Sequence, residues 1–83
     1  MSMDVLVQAF GPARDHLGAE KVVLTVPNDA CVADVVGLLE LRSNELAELL
    51  THCAIAVGDE IVPRSHGLRA DDEVALLPPV AGG

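Results

Sequence analysis

Apolar and polar residues alternate over the first ten positions, as they do in a β-strand with one buried face. One set of alternate positions holds Val5, Val7 and Ala9, and the other set ends with Phe10. Gly11-Pro12 ends the strand, because proline fixes φ and lacks the N–H that a strand ladder uses. The pattern predicts a strand over residues 3–10 whose outward face carries Phe10.

The following segments predict a hairpin with a short helix in its connection. Pro12 suits the first turn of a helix and Gly18 suits its end, which predicts a helix over Pro12–Leu17. Residues 20–26 are rich in β-branched side chains and precede Pro27, so they predict a second strand.

From residue 32 the period changes to that of a helix. The spacing i, i+3, i+4, i+7 is filled by Val32, Val35, Val36 and Leu39. Gly37 inside this helix costs about 1 kcal/mol relative to alanine, which favours tight packing on the sheet at this position. Ser43 predicts the cap of a second helical segment, and its inward residues are Leu46, Leu49 and Leu50.

The last third of the chain predicts three strands. Residues 53–57 are short and apolar, as in a strand inside a sheet, and Gly58-Asp59 turns the chain into Ile61-Val62. Residues 63–68 are irregular, and the last strand spans Glu73–Leu77. If the last strand joins the first, the sheet is mixed. The element order then predicts an α+β fold of the β-grasp arrangement, with four to five strands around one main helix. We expect residues 1–83 to form a single domain, with residues 79–83 as an extended tail.

Charge and composition narrow the possible partners. The 83 residues carry 13 acidic and 5 basic side chains, a net charge of −8, and Phe10 is the only aromatic residue. Nucleic-acid binding needs a basic patch, and an anionic membrane would repel this surface, so neither is expected as a partner. No apolar run is long enough to span a membrane and no secretory leader is recognisable, which leads us to expect a cytoplasmic protein.

The side chains that could perform chemistry are scattered along the chain. Their positions are His16, His52, His66, Cys31 and Cys53. His52 and Cys53 are neighbours in sequence, and neighbours in a strand point to opposite faces. No spacing suggests convergent metal ligands, so we expect no metal, no bound cofactor and no catalysis by this chain alone. The two cysteines are expected to be free and to behave as small apolar residues.

The chain ends in Pro78-Pro79-Val80-Ala81-Gly82-Gly83. The two prolines stiffen the chain after the last strand, and Val80 offers an apolar side chain that a partner can contact. Gly82 and Gly83 lack side chains, so such a tail can thread a narrow channel in a partner. These features suit a C-terminal carboxylate that a partner activates as an acyl-adenylate and converts to a thiocarboxylate.

The chain resembles the MoaD/ThiS family of ubiquitin-like sulfur carriers, and specifically the small subunits of molybdopterin synthase. The resemblance is carried by Phe10, Arg14, Asp15 and Gly18, the stripe over residues 32–39, residues 56–60, and the ending over residues 72–83, which is the most specific motif. The sequence departs from the family pattern at Cys31, Gly58, Asp72 and Leu77, where Thr, Asn, Gly and Phe are common.

The resemblance implies a function and its partners. An E1-like adenylyltransferase would use ATP and Mg to adenylate Gly83, and a sulfurtransferase or cysteine desulfurase would supply persulfide sulfur. The tail would then insert into the large subunit of molybdopterin synthase and donate sulfur to cyclic pyranopterin monophosphate. Two small and two large subunits would form the heterotetramer.

A surface for the large subunit is expected beside the tail. If Val5 and Val74 face the core, Phe10 and Leu77 lie on the outer face, and by resemblance Ile61 joins them. Arg14 is expected to rim this patch. The expected partner-binding residues are Phe10, Arg14, Ile61, Leu77, Pro78, Pro79, Val80 and Ala81.

Other functions stay open at this point. A carrier could serve thiamin thiazole assembly, cysteine synthesis or tRNA thiolation, although thiazole carriers usually lack the segment over residues 11–18. A β-grasp interaction module without carrier chemistry is the alternative from another class.

Overall fold

A computed structural model describes residues 1–78. Its elements are β1 (Ser2–Ala9), α1 (Pro12–Leu17), β2 (Lys21–Pro27), α2 (Val32–Glu40), α3 (Asn44–Leu50), β3 (Ala54–Val57), β4 (Glu60–Ile61) and β5 (Glu73–Leu77). The five strands form one sheet in the order β2-β1-β5-β3-β4. β1 and β5 are parallel, whereas the other neighbours are antiparallel. The predicted mixed β-grasp sheet is confirmed.

The helices pack on one face of the sheet, and alternation along the strands sets which face that is. The core residues of β1 and β5 are Met3, Val5, Val7, Ala9, Val74 and Leu76. They pack with the α2 stripe of Val32, Val35, Val36 and Leu39 and with Leu46 and Leu50 of α3. The predicted inward faces are therefore confirmed, and Leu49 is only partly buried against this core.

The first helix follows from its flanking glycines and Pro12. Pro12 opens α1, where a missing N–H costs nothing. Gly18 closes it with a left-handed φ of 83°, and its N–H donates to the carbonyl of Arg14. Ala13 and Leu17 are the buried residues of α1, so this short helix belongs to the core side of the sheet.

The caps of the other two helices are made by side chains nearby in sequence. The Cys31 N–H donates to Oδ2 of Asp34 at 2.8 Å at the start of α2. The Leu46 N–H donates to Oγ of Ser43 at 3.0 Å, as expected for a serine cap of α3.

The structure corrects several details of the sequence prediction. A β-carbon added at Gly37 would meet no described atom within 4 Å beyond its chain neighbours and the backbone of its own helix, so close packing on the sheet does not explain this glycine. β2 runs from Lys21 through Pro27, which is tolerated because β2 is an edge strand. β3 lies inside the sheet as predicted, but the middle strand is β5. Val62 leaves β4 and packs into the core.

The irregular segment after β4 connects the ends of two helices. The N–H groups of Val32 and Ala33, in the first turn of α2, donate to the carbonyls of His66 and Arg64. Nη2 of Arg64 donates at 2.7 Å to the carbonyl of Leu50, at the end of α3. These bonds satisfy backbone groups that helix ends leave unpaired.

Within residues 1–78, no helix is long and apolar enough to cross a membrane.

Candidate functional site

In sequence, the C-terminal tail follows β5, the middle strand of the sheet. Leu77 is the last residue of β5, and its side chain, like that of Pro78, is half-buried. The other residues assigned to the tail lie outside the described residues, and these are Pro79, Val80, Ala81, Gly82 and Gly83. The described part of the candidate site therefore consists of Leu77 and Pro78, which we call the tail root, and the surface around them.

Gly11 and Pro78 approach each other closely at this root. A β-carbon added at Gly11 would lie 3.4 Å from Cγ of Pro78. Gly11 also has φ of 56° and ψ of −135°, a backbone conformation that side-chain-bearing residues avoid. The turn between β1 and α1 thus presents bare backbone to Pro78, the residue before the tail. Nothing in the local sequence pattern indicated this contact, since it joins the two ends of the chain.

The face of the sheet opposite the helices carries an apolar surface beside the tail root. Ala9 of β1 is paired with Leu76 of β5, so Phe10 and Leu77 follow on neighbouring strands. Leu77 is paired with Ala54, while Ala56 is paired with both Ala75 and Ile61. We call this surface the open-face patch, and its residues are Phe10, Ala54, Ala56, Ile61, Ala75 and Leu77.

Exposure within the open-face patch shows which side chains a partner would reach. Phe10 is 47% exposed and Ile61 is 67% exposed, whereas Ala75 and Leu77 are half-buried. Ala56 is buried although it does not belong to the hydrophobic core under the helices, so its neighbours on the open face cover it. The structure thus places Phe10, Ile61 and Leu77 on one face. It confirms that Ala75 lies on the outer face with Leu77, and it adds Ala54 and Ala56, which sequence reasoning missed, although the uninterrupted apolar run of β3 is a signal that both of its faces are apolar.

The Arg14 side chain is directed toward Glu20, immediately before β2. Its Nη1 is 3.9 Å from Oε1 of Glu20, and both side chains are largely exposed. The Glu20 carbonyl accepts from the Ala9 N–H, so this ion pair stands where the chain enters β2. The other patch residues lie toward β5, β3 and β4, and this contact directs the guanidinium away from them.

The histidines and cysteines do not converge on the tail root. His16 and His52 line a cleft with Leu49 and the carboxylates of Glu45 and Glu48, beside α3. No group of three or more His, Cys, Asp or Glu side chains within residues 1–78 is arranged to hold a metal ion. Cys31 and Cys53 are free thiols. Burial raises the pKa of Cys53, and the nearby Arg64 guanidinium lowers that pKa by a smaller amount.

A family model for the ThiS family matches residues 7–83. This chain belongs to the ThiS family. The match covers the Phe10–Gly18 segment, the helices and all of the tail.

Relatives of this ThiS-family chain extend the comparison. It is 27% identical to a protein of Arabidopsis thaliana named molybdopterin synthase sulfur carrier subunit, over 99% of this chain and 85% of the relative. It is 33% identical to a chain in the complex of subunits 1 and 2 of molybdopterin-converting factor from Helicobacter pylori, with TM-score 0.72, covering 98% of this chain and 100% of that one. It is 26% identical to small archaeal modifier protein 1 of Haloferax volcanii, with TM-score 0.81, covering 94% of this chain and 99% of that one.

Proposed function

We propose that this protein is a sulfur carrier for molybdenum cofactor biosynthesis. A partner adenylates the Gly83 carboxylate with ATP and Mg, releasing pyrophosphate. The outer sulfur of a persulfide on a sulfurtransferase or cysteine desulfurase then displaces AMP from the carbonyl and forms an acyl disulfide. A second thiol reduces this disulfide, which releases the thiocarboxylate and leaves that thiol in a disulfide with the donor cysteine. The resulting thiocarboxylate donates its sulfur to cyclic pyranopterin monophosphate in molybdopterin synthase.

One observation carries this proposal: the similarity to a molybdopterin synthase sulfur carrier subunit extends over 99% of the chain. The ThiS-family match likewise runs to Gly83, the residue that the chemistry requires. The proposal needs Gly83 as the C-terminal residue, because only a free carboxylate can be adenylated.

The geometry supports a division of labour between this chain and its partners. This chain contributes the carboxylate, a tail root held against Gly11, and the open-face patch as a docking surface. The partners contribute ATP, Mg and the reacting side chains. In this scheme the protein is the sulfur-donor subunit of an enzyme and performs no turnover of its own.

The large subunit of molybdopterin synthase is the partner we assign to the open-face patch. The Helicobacter pylori neighbour is itself part of a complex of subunits 1 and 2 of molybdopterin-converting factor. Exposed Phe10 and Ile61, with half-buried Leu77 between their strands, offer the apolar centre that such interfaces use. Pro78, Pro79, Val80 and Ala81 would lie in the partner's channel together with Gly82 and Gly83. Arg14, which is directed toward Glu20 immediately before β2, would contribute at the margin of the interface.

A second candidate function is that of a protein modifier. It is favoured by the similarity to small archaeal modifier protein 1. In that case the activated Gly83 carbonyl would join a target amine instead of accepting sulfur. Carriers for thiamin thiazole, cysteine or tRNA thiolation would share the thiocarboxylate and differ in the acceptor.

Intact mass spectrometry tests the carrier chemistry. The protein ending at Gly83 is incubated with the adenylating enzyme of the same source, a persulfide donor and Mg-ATP. We expect a mass gain equal to sulfur minus oxygen, located at Gly83 by fragmentation. A variant lacking Gly83 should show no gain, and a variant lacking Met1 serves as the matched deletion control.

The acceptor is tested with the thiocarboxylate product. Sulfur should pass to cyclic pyranopterin monophosphate when the large subunit is added and should stay on the carrier when a thiazole synthase or cysteine synthase is added. Failure of the mass gain with an adenylating enzyme that is active on another carrier would refute carrier chemistry. A gain followed by transfer only to another acceptor would refute the molybdopterin role.

A further inference from the structure

The outer edge of β2 carries backbone groups that pair with no other strand within residues 1–78. The Ala9 N–H donates to the Glu20 carbonyl at 2.9 Å, and the Asn28 N–H donates to the Met1 carbonyl at 3.2 Å. Because facing groups alternate along an antiparallel pair, the even-numbered residues of β2 face β1 and the odd-numbered ones face outward. The backbone groups of Lys21, Val23 and Thr25 therefore form the outer edge, and no strand within residues 1–78 pairs with it.

This edge is long and apolar for an unpaired strand. β2 has seven residues, four of which are valine or leucine, and Val23 is 62% exposed on the open face. Val22 and Leu24, on the helix side, are only partly buried against the core. Such an edge is a template for another strand. At the opposite end of the sheet, β4 has only two residues and offers no comparable edge.

An acidic groove lies on the open face over β1, between Val23 of β2 and Glu73 of β5. It is lined by Asp4, Val5, Leu6, Val23, Asp71 and Glu73. Thr25 is paired with Asp4, and its hydroxyl donates to Oδ1 of Asp4 at 2.8 Å. Leu6 is paired with both Val23 and Glu73, so apolar side chains form the floor and carboxylates form the margin. A partner that fits this groove presents an apolar side chain with a cation beside it.

Val23 provides such an apolar side chain and Lys21 provides such a cation, and both lie on the β2 edge. Lys21 is the only lysine of the chain, and residues 21–28 contain no acidic residue although the chain as a whole has 13. Lys21 and Val23 project to the same face of β2 because they are two residues apart. The edge and the groove are therefore complementary to each other.

We propose that a second copy of this chain pairs with the β2 edge, antiparallel, about a two-fold axis at Val23. Lys21 of each copy lies opposite Thr25 of the other, within reach of Asp4 on the neighbouring strand. Val23 of each copy packs against the other at the axis and extends the apolar floor of the groove. The interface is isologous and closes at two copies, which join their sheets through β2.

The register with Val23 at the axis is more favourable than the register shifted by two residues, for two reasons. Shifting the pairing by two residues would place Lys21 opposite Pro27, which has no N–H to donate. Pro27 is paired with Ser2, so Lys21 would also lose the carboxylate. The net charge of −8 on each copy opposes association at long range, and screening at physiological salt limits this repulsion to about 8 Å.

Sedimentation velocity over a concentration series tests the dimer. We expect a shift from monomer to dimer for the parent protein at physiological ionic strength. Lys21→Glu should raise the dimer Kd at least about tenfold, because it places like charges together. Arg42→Glu changes the net charge equally on an exposed residue between α2 and α3, and it should leave the Kd unchanged. The double variant Lys21→Glu with Asp4→Lys should restore dimerisation.

Three results would overturn the proposal. The first is a protein that stays monomeric up to about 1 mM, a concentration at which even weak self-association is populated. The second is equal weakening by Lys21→Glu and Arg42→Glu, which would show only a net-charge effect. The third is a dimer that is lost with Ile61→Asp but kept with Lys21→Glu, since its interface would be the open-face patch.

Oxidative cross-linking tests the register separately. In a Cys31→Ser background, Val23→Cys should form an intermolecular disulfide, because directly paired residues have Cα atoms about 5.5 Å apart. Leu38→Cys, on an exposed position of α2, is the matched control and should stay reduced. Equal cross-linking of the two variants, or none with Val23→Cys in a dimer, would show that the copies do not meet at Val23.

Discussion

Gly37 and Gly58 differ in whether their surroundings require a glycine. Gly58 lies between β3 and β4 with φ of 63°, where a β-carbon is strained. Gly37 lies inside α2, and an added β-carbon would have open space among the described residues. The turn therefore requires its glycine, whereas the helix does not.

Replacing each of these two glycines by alanine should change stability in opposite directions. Gly37→Ala should raise the free energy of unfolding by about 1 kcal/mol, because alanine has the higher helix propensity. Gly58→Ala should lower it by about 1–2 kcal/mol, because φ stays positive there. Urea denaturation at equilibrium measures both, and each variant is the control for the other. A destabilised Gly37→Ala variant would show that the helix cannot accept the added methyl group.

Ionisation of Cys53 should lower the free energy of unfolding at alkaline pH. Burial raises its pKa above the ordinary value of 9.0, so the folded state disfavours the thiolate. Its contribution to stability is complete below pH 9.0 and is lost as pH rises from there through the folded-state pKa. Between about pH 8 and about pH 10, the parent should therefore lose more stability than Cys53→Ala. Denaturation midpoints at the two pH values measure this, and equal losses in the two proteins would contradict it.

The departures from the family pattern at turns and caps are accommodated by local contacts. Gly58 adopts the left-handed backbone of its turn, and the Cys31 N–H is held by Asp34. Oδ2 of Asp72 accepts from the Arg69 N–H at 2.8 Å and closes the turn before β5. That turn also holds Asp71 at φ of 67°, a conformation that aspartate tolerates better than most residues.

Among the elements, the segment after β4 acts as a strap between α2 and α3. Its carbonyl groups accept hydrogen bonds from the N–H groups in the first turn of α2. The Arg64 side chain donates to the carbonyl of Leu50, the last residue of α3. Sequence periodicity could not reveal this segment's role, since it has no period. Its value depends on the two helix ends that tertiary packing brings beside it.

Removal of the Arg64 side chain should weaken this strap. Arg64→Ala loses a charge-assisted hydrogen bond to Leu50 and should lower the free energy of unfolding by about 1 kcal/mol. It should also raise the pKa of Cys53 further, because the nearby cation is gone. Arg42→Ala is the matched control, since Arg42 has no hydrogen bond or ion pair with any described side chain. Urea denaturation and the pH dependence of Cys53 alkylation check the two effects, and equal stability of the two variants would refute the first.

At the scale of the whole molecule, one face of the sheet forms the hydrophobic core and the other is available for binding. One face holds the core under three helices, while the open face carries the patch beside the tail root. A substitution on the open face should therefore affect binding and leave the fold intact. The β2 edge lies at the far side of β1 from the tail strand, so the dimer and the proposed large-subunit contact use different surfaces.

Phe10→Ala and Leu77→Asp should weaken binding of the large subunit at least about tenfold, as expected for apolar residues at an interface centre. Isothermal titration with the purified large subunit measures the Kd, and circular dichroism verifies the fold. Leu41→Asp is the control, because Leu41 is 83% exposed and lies at the end of α2, away from the sheet. Unchanged affinity for both patch variants would remove the open-face patch from the interface.

The strands and helices themselves were predictable from local pattern. Val5, Val7 and Ala9 alternate with outward residues, the Val32–Leu39 stripe has helical spacing, and Pro12, Gly18 and Ser43 mark helix ends. These signals are local because side-chain direction and capping depend on residues only a few positions apart. Misplaced bounds, as at Pro27 and Val62, occur where the sheet edge or the core overrides the local signal.

The sequence by itself determined which faces are apolar, and its resemblance to a family of sulfur carriers suggested the chemistry. Only the tertiary structure decided which surfaces meet. It set Pro78 against Gly11, gathered Ala54, Ala56 and Ala75 around Leu77, and turned Arg14 toward Glu20. It also left the outer edge of β2 without a paired strand among residues 1–78, with an acidic groove over the adjacent β1. These contacts join residues far apart in sequence, and strand order and register create them, which no local period encodes.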